Sequence, residues 1–248
     1  MFHSARRAAP RSLAVPSALA LTAVLSIPSA AHAGYIGALE MRYLGKGLGE
    51  NVQVDVSGSI HTFFAGQLRW ETRNGSGDGA RFNALTLPTF CIEPTQYVGS
   101  GWIAHTISEP SAALTPMMNI DRAGALNRAV AAYVIYRDSN TVTAPLAAGF
   151  QLALWEIMRD YDALAGRASL SITTGTFKAS ATGGSPLNAV TAGWTDTFLN
   201  AATDPAAEAP LAFAFSSASS QDQIIPAPNT VLLACLGLLL RPRRRRER

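Results

Sequence analysis

Residues 63–71, Phe63-Phe64-Ala65-Gly66-Gln67-Leu68-Arg69-Trp70-Glu71, alternate in character. Phe64, Gly66, Leu68 and Trp70 fall on one face, and Gln67, Arg69 and Glu71 on the other. A period of two marks a strand with one buried face. Val52–Val56 shows the same alternation upstream, and Leu85–Ile92 and Tyr97–Ile107 read as further strands downstream. Between them Asn74-Gly75-Ser76-Gly77-Asp78-Gly79 has turn or loop composition. Pro94 ends the ladder soon after Cys91, because proline has no N–H to donate.

The pattern changes after Pro116. Asp121–Asp138 carries Leu126, Val130, Tyr133 and Val134 on one helical stripe. A second helix begins at Thr143, whose side chain can cap it. Pro145 falls in the first turn, where a missing N–H costs nothing, and the helix runs to about Ala163. On its wheel Gln151, Leu154, Trp155, Met158 and Asp162 share one side, with Glu156 and Asp160 opposite. A third helix is expected at Pro186–Ala202, flanked by strand-like segments at Ser169–Thr173 and Leu211–Phe215. The fold class is therefore α+β, a mainly β half over 34–116 and a mainly helical half with returning strands over 117–216. Residues 217–223 read as a polar linker.

Both ends read as addresses. Arg6, Arg7 and Arg11 precede an apolar run from Leu13 to Ile27, and small residues stand at Ala31 and Ala33, so 1–33 reads as a signal peptide. At the other end, Ile224-Ile225-Pro226-Ala227-Pro228-Asn229-Thr230 leads into apolar Val231–Leu240 and then six arginines. Those 17 residues reach about 25 Å, short of a comfortable bilayer span, and the arginines would stay cytoplasmic. Residues 224–248 resemble the PEP-CTERM sorting signals of exported bacterial proteins, with Ala227 where that family usually has Glu. The resemblance implies processing by a transpeptidase of the exosortase type; the alternative is a permanent C-terminal membrane anchor. Either way the body is expected outside the cytoplasm, at the surface, outer envelope or matrix.

The formal charge of +3 belongs to these ends. Residues 34–240 carry 11 basic and 16 acidic side chains, a net of −5, which argues against a nucleic-acid partner. The same residues hold only His61 and His105 and, outside the apolar tail with Cys235, only Cys91. That inventory supports neither a His/Cys metal cage nor an intradomain disulfide, and no cofactor is expected. A lone cysteine in an exported chain should be buried, paired between chains or chemically occupied.

Gln151 raises a matching question, since an unpartnered amide on an apolar stripe costs roughly 1–3 kcal/mol. One reaction answers both. Attack of the Cys91 sulfur on the Gln151 side-chain carbonyl, with loss of ammonia, gives an internal thioester, a stored acyl electrophile. Phe90-Cys91-Ile92-Glu93 and Phe150-Gln151-Leu152-Ala153-Leu154-Trp155 resemble the two signature motifs of the bacterial thioester domains of surface adhesins. Ala131-Ala132-Tyr133-Val134-Ile135-Tyr136 resembles the helix preceding the glutamine in that family. The resemblance spans Thr89–Tyr161. It implies a β-barrel or sandwich subdomain that supplies Cys91 and a small helical subdomain that supplies Gln151, with the bond closing between them. It also implies covalent capture of an amine-bearing surface or matrix molecule.

Phe90, Phe150 and Trp155 are candidates for shielding the bond from water. Other readings stand beside this one. The chain can be a non-covalent structural component of the envelope or matrix with the same fold and no thioester. A Cys91–His105 hydrolase pair is allowed by inventory but lacks an orienting third group. Asp160 and Asp162 fit a solvated helix end better than paired-carboxylate chemistry. The body has only Lys46 and Lys178 against nine arginines, so few internal amines could consume an electrophile.

Overall fold

The computed structural model describes residues 35–226 apart from 114, 140 and 208–211. The expected leader, 1–33, and residues 227–248 of the expected sorting segment lie outside the described residues. Among the described residues seven strands and three α-helices make a mixed α+β fold: β1 (Tyr35–Val56), β2 (Ser59–Gly77), β3 (Thr86–Cys91), β4 (Trp102–Ser108), α1 (Ile120–Ser139), α2 (Ala144–Asp160), β5 (Phe177–Ala181), α3 (Ala189–Thr203), β6 (Ala212–Ser216) and β7 (Gln223–Pro226).

The sheet is antiparallel throughout. β1 and β2 form a long hairpin closed by Ser57 and Gly58, both at positive φ, the geometry of a two-residue turn that follows strand twist. The Asp55 carboxylate accepts the Gly58 N–H at 2.7 Å and pins that turn. From β2 the pairing passes to β3, β7, β6 and β4, and β4 returns to the first half of β1. β5 pairs with the second half of β1. Gly49 and Gly66 meet across the hairpin, both at positive φ; a Cβ on Gly66 would lie 2.3 Å from the Leu48 carbonyl oxygen, so only glycine fits there.

Two apolar cores result, and α2 contributes to both. Leu39, Met41, Val54, Leu68, Trp70, Cys91, Phe177 and Phe215 of the sheet enclose one core together with Ala148, Leu152 and Trp155 of α2. Phe150, Leu154 and Ile157 of α2 join Tyr133 of α1, Phe198 of α3 and Phe90 of β3 in the other. A helix with apolar neighbours on every side must be apolar on every side. Every residue of α2 from Leu146 to Met158 is accordingly buried. Its start is as the sequence suggests, with the Thr143 side chain accepting the Leu146 N–H.

Several expectations are corrected. Ser169–Thr173 is no strand: Ser169 ends a short 3-10 helix, Gly166–Ser169, and single bonds hold the rest, Ser171 N–H to Glu156 Oε1 and Ala179 N–H to the Ile172 carbonyl. The strand lies eight residues on, at Phe177–Ala181. Residues 74–77 continue β2 rather than turning, and Asp78–Phe82 is a 3-10 helix. Residues 217–223 are no linker. Ser220 to Gln223 are buried, and Gln223 opens β7, which sits between β3 and β6 and takes in Ile224 to Pro226 of the expected sorting segment. These polar residues are buried because they are internally bonded: Asp222 accepts from Ser217 N–H and Thr115 Oγ1, and Gln223 Oε1 accepts from Thr89 Oγ1. Glu156, expected opposite the apolar stripe, is 0% exposed.

Candidate functional site

Cys91 is the last residue of β3, and Gln151 lies in the second turn of α2; the fold brings them together, 2% and 0% exposed. On its β7 side Cys91 is paired with Gln223. On its β2 side the ladder ends two residues earlier, at Leu68 opposite Thr89. The amide of Gln151 takes the place of the missing strand. Cys91 N–H donates to Gln151 Oε1 at 2.9 Å, and Gln151 Nε2 donates to the Cys91 carbonyl at 2.6 Å. Gln151 faces this way because it shares a side of α2 with Ala148, Leu152 and Trp155, the residues turned to the sheet.

The Cys91 thiol donates to the Glu93 carbonyl at 3.0 Å. Burial pushes the thiol far above its usual range, and the Trp155 indole N–H and the Glu93 contact oppose that shift only in part. The indole N–H makes no hydrogen bond of its own among the described residues. Trp155 is held by Phe63 and Phe177, with ring centroids 6.1 and 6.3 Å away.

Cys91, Gln151 and Trp155 line one cavity of about 280 Å³, with Tyr43, Phe63 and Phe64 as aromatic walls. Its far wall is the 94–98 loop, clamped by the 217–222 turn: Gln221 N–H donates to the Tyr97 carbonyl, Gln221 Nε2 to the Gln96 carbonyl, and Asp222 N–H to Gln96 Oε1. Lys46 also lines the cavity. The aromatic walls and this clamp escape sequence reasoning because they come from distant segments; the one local signal is the polar Ser217–Asp222 run leading into Ile224-Ile225.

Of the candidate shields only Trp155 borders the cavity. Phe90 and Phe150 do not: they pack edge to face at 4.7 Å in the other core, where Tyr133 stacks on Phe150 at 4.3 Å. Adjacent residues on a strand or helix point in different directions, so Phe90 sits behind Cys91 and Phe150 behind Gln151. His105 is on β4, its Nδ1 on the Ile103 carbonyl and its ring against Trp70, and burial holds its pKa below the usual value. No hydrogen bond joins it to Cys91. Asp160 accepts from the Thr176 and Phe177 N–H groups and anchors the start of β5, while Asp162 Oδ1 accepts from Leu164 N–H in the turn after α2. No group of three or more His, Cys, Asp or Glu among the described residues is placed to hold a metal ion.

The arrangement has a chemical consequence. The Cys91 N–H points at the oxygen on which charge would develop if the Gln151 carbonyl were attacked, the position of an oxyanion donor. Comparison with known protein families, with characterised proteins and with solved structures finds no match to this chain.

Proposed function

We propose that this chain is an exported binding module in which Cys91 and Gln151 condense into an internal thioester that captures an amine on a surface or matrix partner. In this reading the ring of strands is a barrel-like part that supplies the nucleophile, and the helices form a smaller part that supplies the acyl group. The reciprocal pairing of the Gln151 amide with the Cys91 main chain, at the floor of a cavity open to solvent, carries it.

The Cys91 sulfur adds to Gln151 Cδ, and the oxyanion is held by the Cys91 N–H. The C–Nε2 bond breaks, the thiol proton leaves with the amide nitrogen as ammonia, and the thioester remains. An outside primary amine then adds to the same carbon; the C–S bond breaks, an amide links partner to Gln151, and the Cys91 thiol is regenerated. The cycle runs once, so the site binds rather than turns over. Walls of Phe63, Phe64 and Trp155 exclude water and admit a slender alkyl amine, whose methylenes pack on aromatic rings.

A biotin-linked primary amine incubated with the protein tests this. Wild type acquires a covalent label at Gln151, and Cys91→Ala and Gln151→Ala acquire none. Equal labelling of either variant overturns the proposal.

One observation favours a second reading. The two hydrogen bonds between Gln151 and the Cys91 main chain already satisfy the buried amide, so the fold closes without the bond. A non-covalent envelope or matrix component then retains Gln151 as an intact amide with a free Cys91 thiol after unfolding.

A further inference from the structure

Lys46 lies in the irregular middle of β1, opposite Leu68, where the register with β2 shifts on either side of it. It is exposed, and its ammonium rests 4.8 Å from the centre of the Phe64 ring and 3.3 Å from Asn51 Oδ1. It forms no salt bridge among the described residues, whereas Lys178, the other lysine of 34–240, is paired with Asp55 at 2.9 Å. Among the described residues, Lys46 is the one formally charged residue lining the cavity of Cys91 and Gln151, and no carboxylate lines it. Glu93, the acid nearest to Cys91 in sequence, accepts from Thr95 Oγ1 at its Oε1, 3.1 Å away, and does not line the cavity.

An incoming amine must reach the floor, where Cys91 and Gln151 are almost fully covered, so whatever carries it is left at the mouth beside Lys46. We propose that Lys46 is a specificity-determining charge that selects lysines flanked by Asp or Glu on a partner protein over lysines in a basic setting. The proposal rests on the thioester reading and adds the partner's chemistry to it. Lys46 stays non-covalent throughout: the partner amine adds to Gln151 Cδ, the bond to the Cys91 sulfur breaks, and the ammonium meets only the flanking carboxylates. A single exposed charge a few ångströms from another changes encounter and binding by about three- to tenfold at low salt, and less as salt screens it.

The test uses two capped peptides with one amine each, acetyl-Asp-Lys-Asp-amide and acetyl-Arg-Lys-Arg-amide, with methylamine as control. Adduct formation is followed by intact mass for wild type, Lys46→Gln and Lys46→Glu. Wild type is expected to take the acidic peptide at least about threefold faster, with the ratio falling as salt rises. Lys46→Gln brings the ratio close to one, and Lys46→Glu reverses it. Equal rates in wild type, or an unchanged preference in Lys46→Gln, overturn the proposal while methylamine capture leaves the thioester standing. A cross-linked peptide joining Lys46 to Gln151 also overturns it, since Lys46 would then be an acceptor. Failure of methylamine and both peptides to react with any variant overturns the thioester reading, and the selection falls with it.

Discussion

Gln151 serves Cys91 as a strand would: its side-chain oxygen takes the Cys91 N–H at 2.9 Å and its nitrogen returns a bond to the Cys91 carbonyl at 2.6 Å, where β2 has left the edge of β3. This one contact joins sheet to helix, brings the acyl carbon into the same cavity as the sulfur, and aims a main-chain donor at the carbonyl oxygen. Changing it therefore affects stability and chemistry together.

Gln151→Glu retains the size of the side chain, removes the donor to the Cys91 carbonyl and removes the leaving ammonia. Leaving that buried carbonyl against a carboxyl group is expected to cost about 1–3 kcal/mol in urea unfolding, and amine labelling should disappear. Labelling at the wild-type level would mean that the acyl group comes from another residue.

Trp155→Phe keeps the aromatic wall and deletes the indole N–H. Loss of a donor that favours the charged sulfur should slow bond formation by about ten- to a hundredfold, with a stability change below about 1.5 kcal/mol. The time course of ammonia release after refolding measures it, and an unchanged rate would leave Trp155 a wall only.

Phe150→Leu distinguishes a rear support from a shield. Its ring packs on Phe90, Tyr133 and Phe198, away from the cavity. The variant should lose about 1–3 kcal/mol while the thioester, once formed, hydrolyses at the wild-type rate. Faster hydrolysis at equal stability would give Phe150 a shielding role.

Glu156 and Asp222 make stability depend on pH. Burial raises the Glu156 carboxyl to about 8 from an ordinary 4.5, and raises Asp222 in the same direction. Between about 4.5 and 8 the folded chain holds a proton on Glu156 that the unfolded chain has released, so stability falls as pH rises through that window. Glu156→Gln keeps an acceptor for the Ser171 N–H and should flatten the fall, gaining about 1–3 kcal/mol at the alkaline end. Parallel pH profiles for the two proteins would contradict this.

His105→Phe separates binding from hydrolysis. The His105 Nε2 has no hydrogen-bond partner to lose, but the change gives up the Nδ1 contact with the Ile103 carbonyl, so it should cost about 1–3 kcal/mol, with amine capture intact. Loss of capture in a folded variant would restore the Cys91–His105 pair.

What could be read from the sequence, and what could not, has physical causes. β2 was legible because Leu68, Trp70 and their neighbours alternate against one core. Most of β1 was not, because Gly45, Gly47 and Gly49 break the alternation where the hairpin needs close approach and positive φ. β7 was hidden because its approach, Ser217 to Gln223, is mostly polar, and Asp222 and Gln223 are buried only by virtue of bonds to Thr89, Thr115 and Gln96 from distant parts of the chain. Glu156 misled for a related reason: a wheel shows a helix's own periodicity, whereas α2 is covered on every side by the elements around it. Cys91 and Gln151 stood out because each is chemically costly alone, a lone thiol and an amide among apolar residues. The cavity walls they share are contributed by residues from Tyr43 to Gln221, and no local pattern encodes that convergence.

The most direct test of the thioester is the intact mass of the folded chain from Gly34 to Pro226, which retains β7, measured with and without methylamine. The account requires a mass short by one ammonia, restored with a methylamine adduct mapped to Gln151, and no deficit in Cys91→Ala. A full unmodified mass, with Gln151 recovered as glutamine and Cys91 as a free thiol after unfolding, would contradict it.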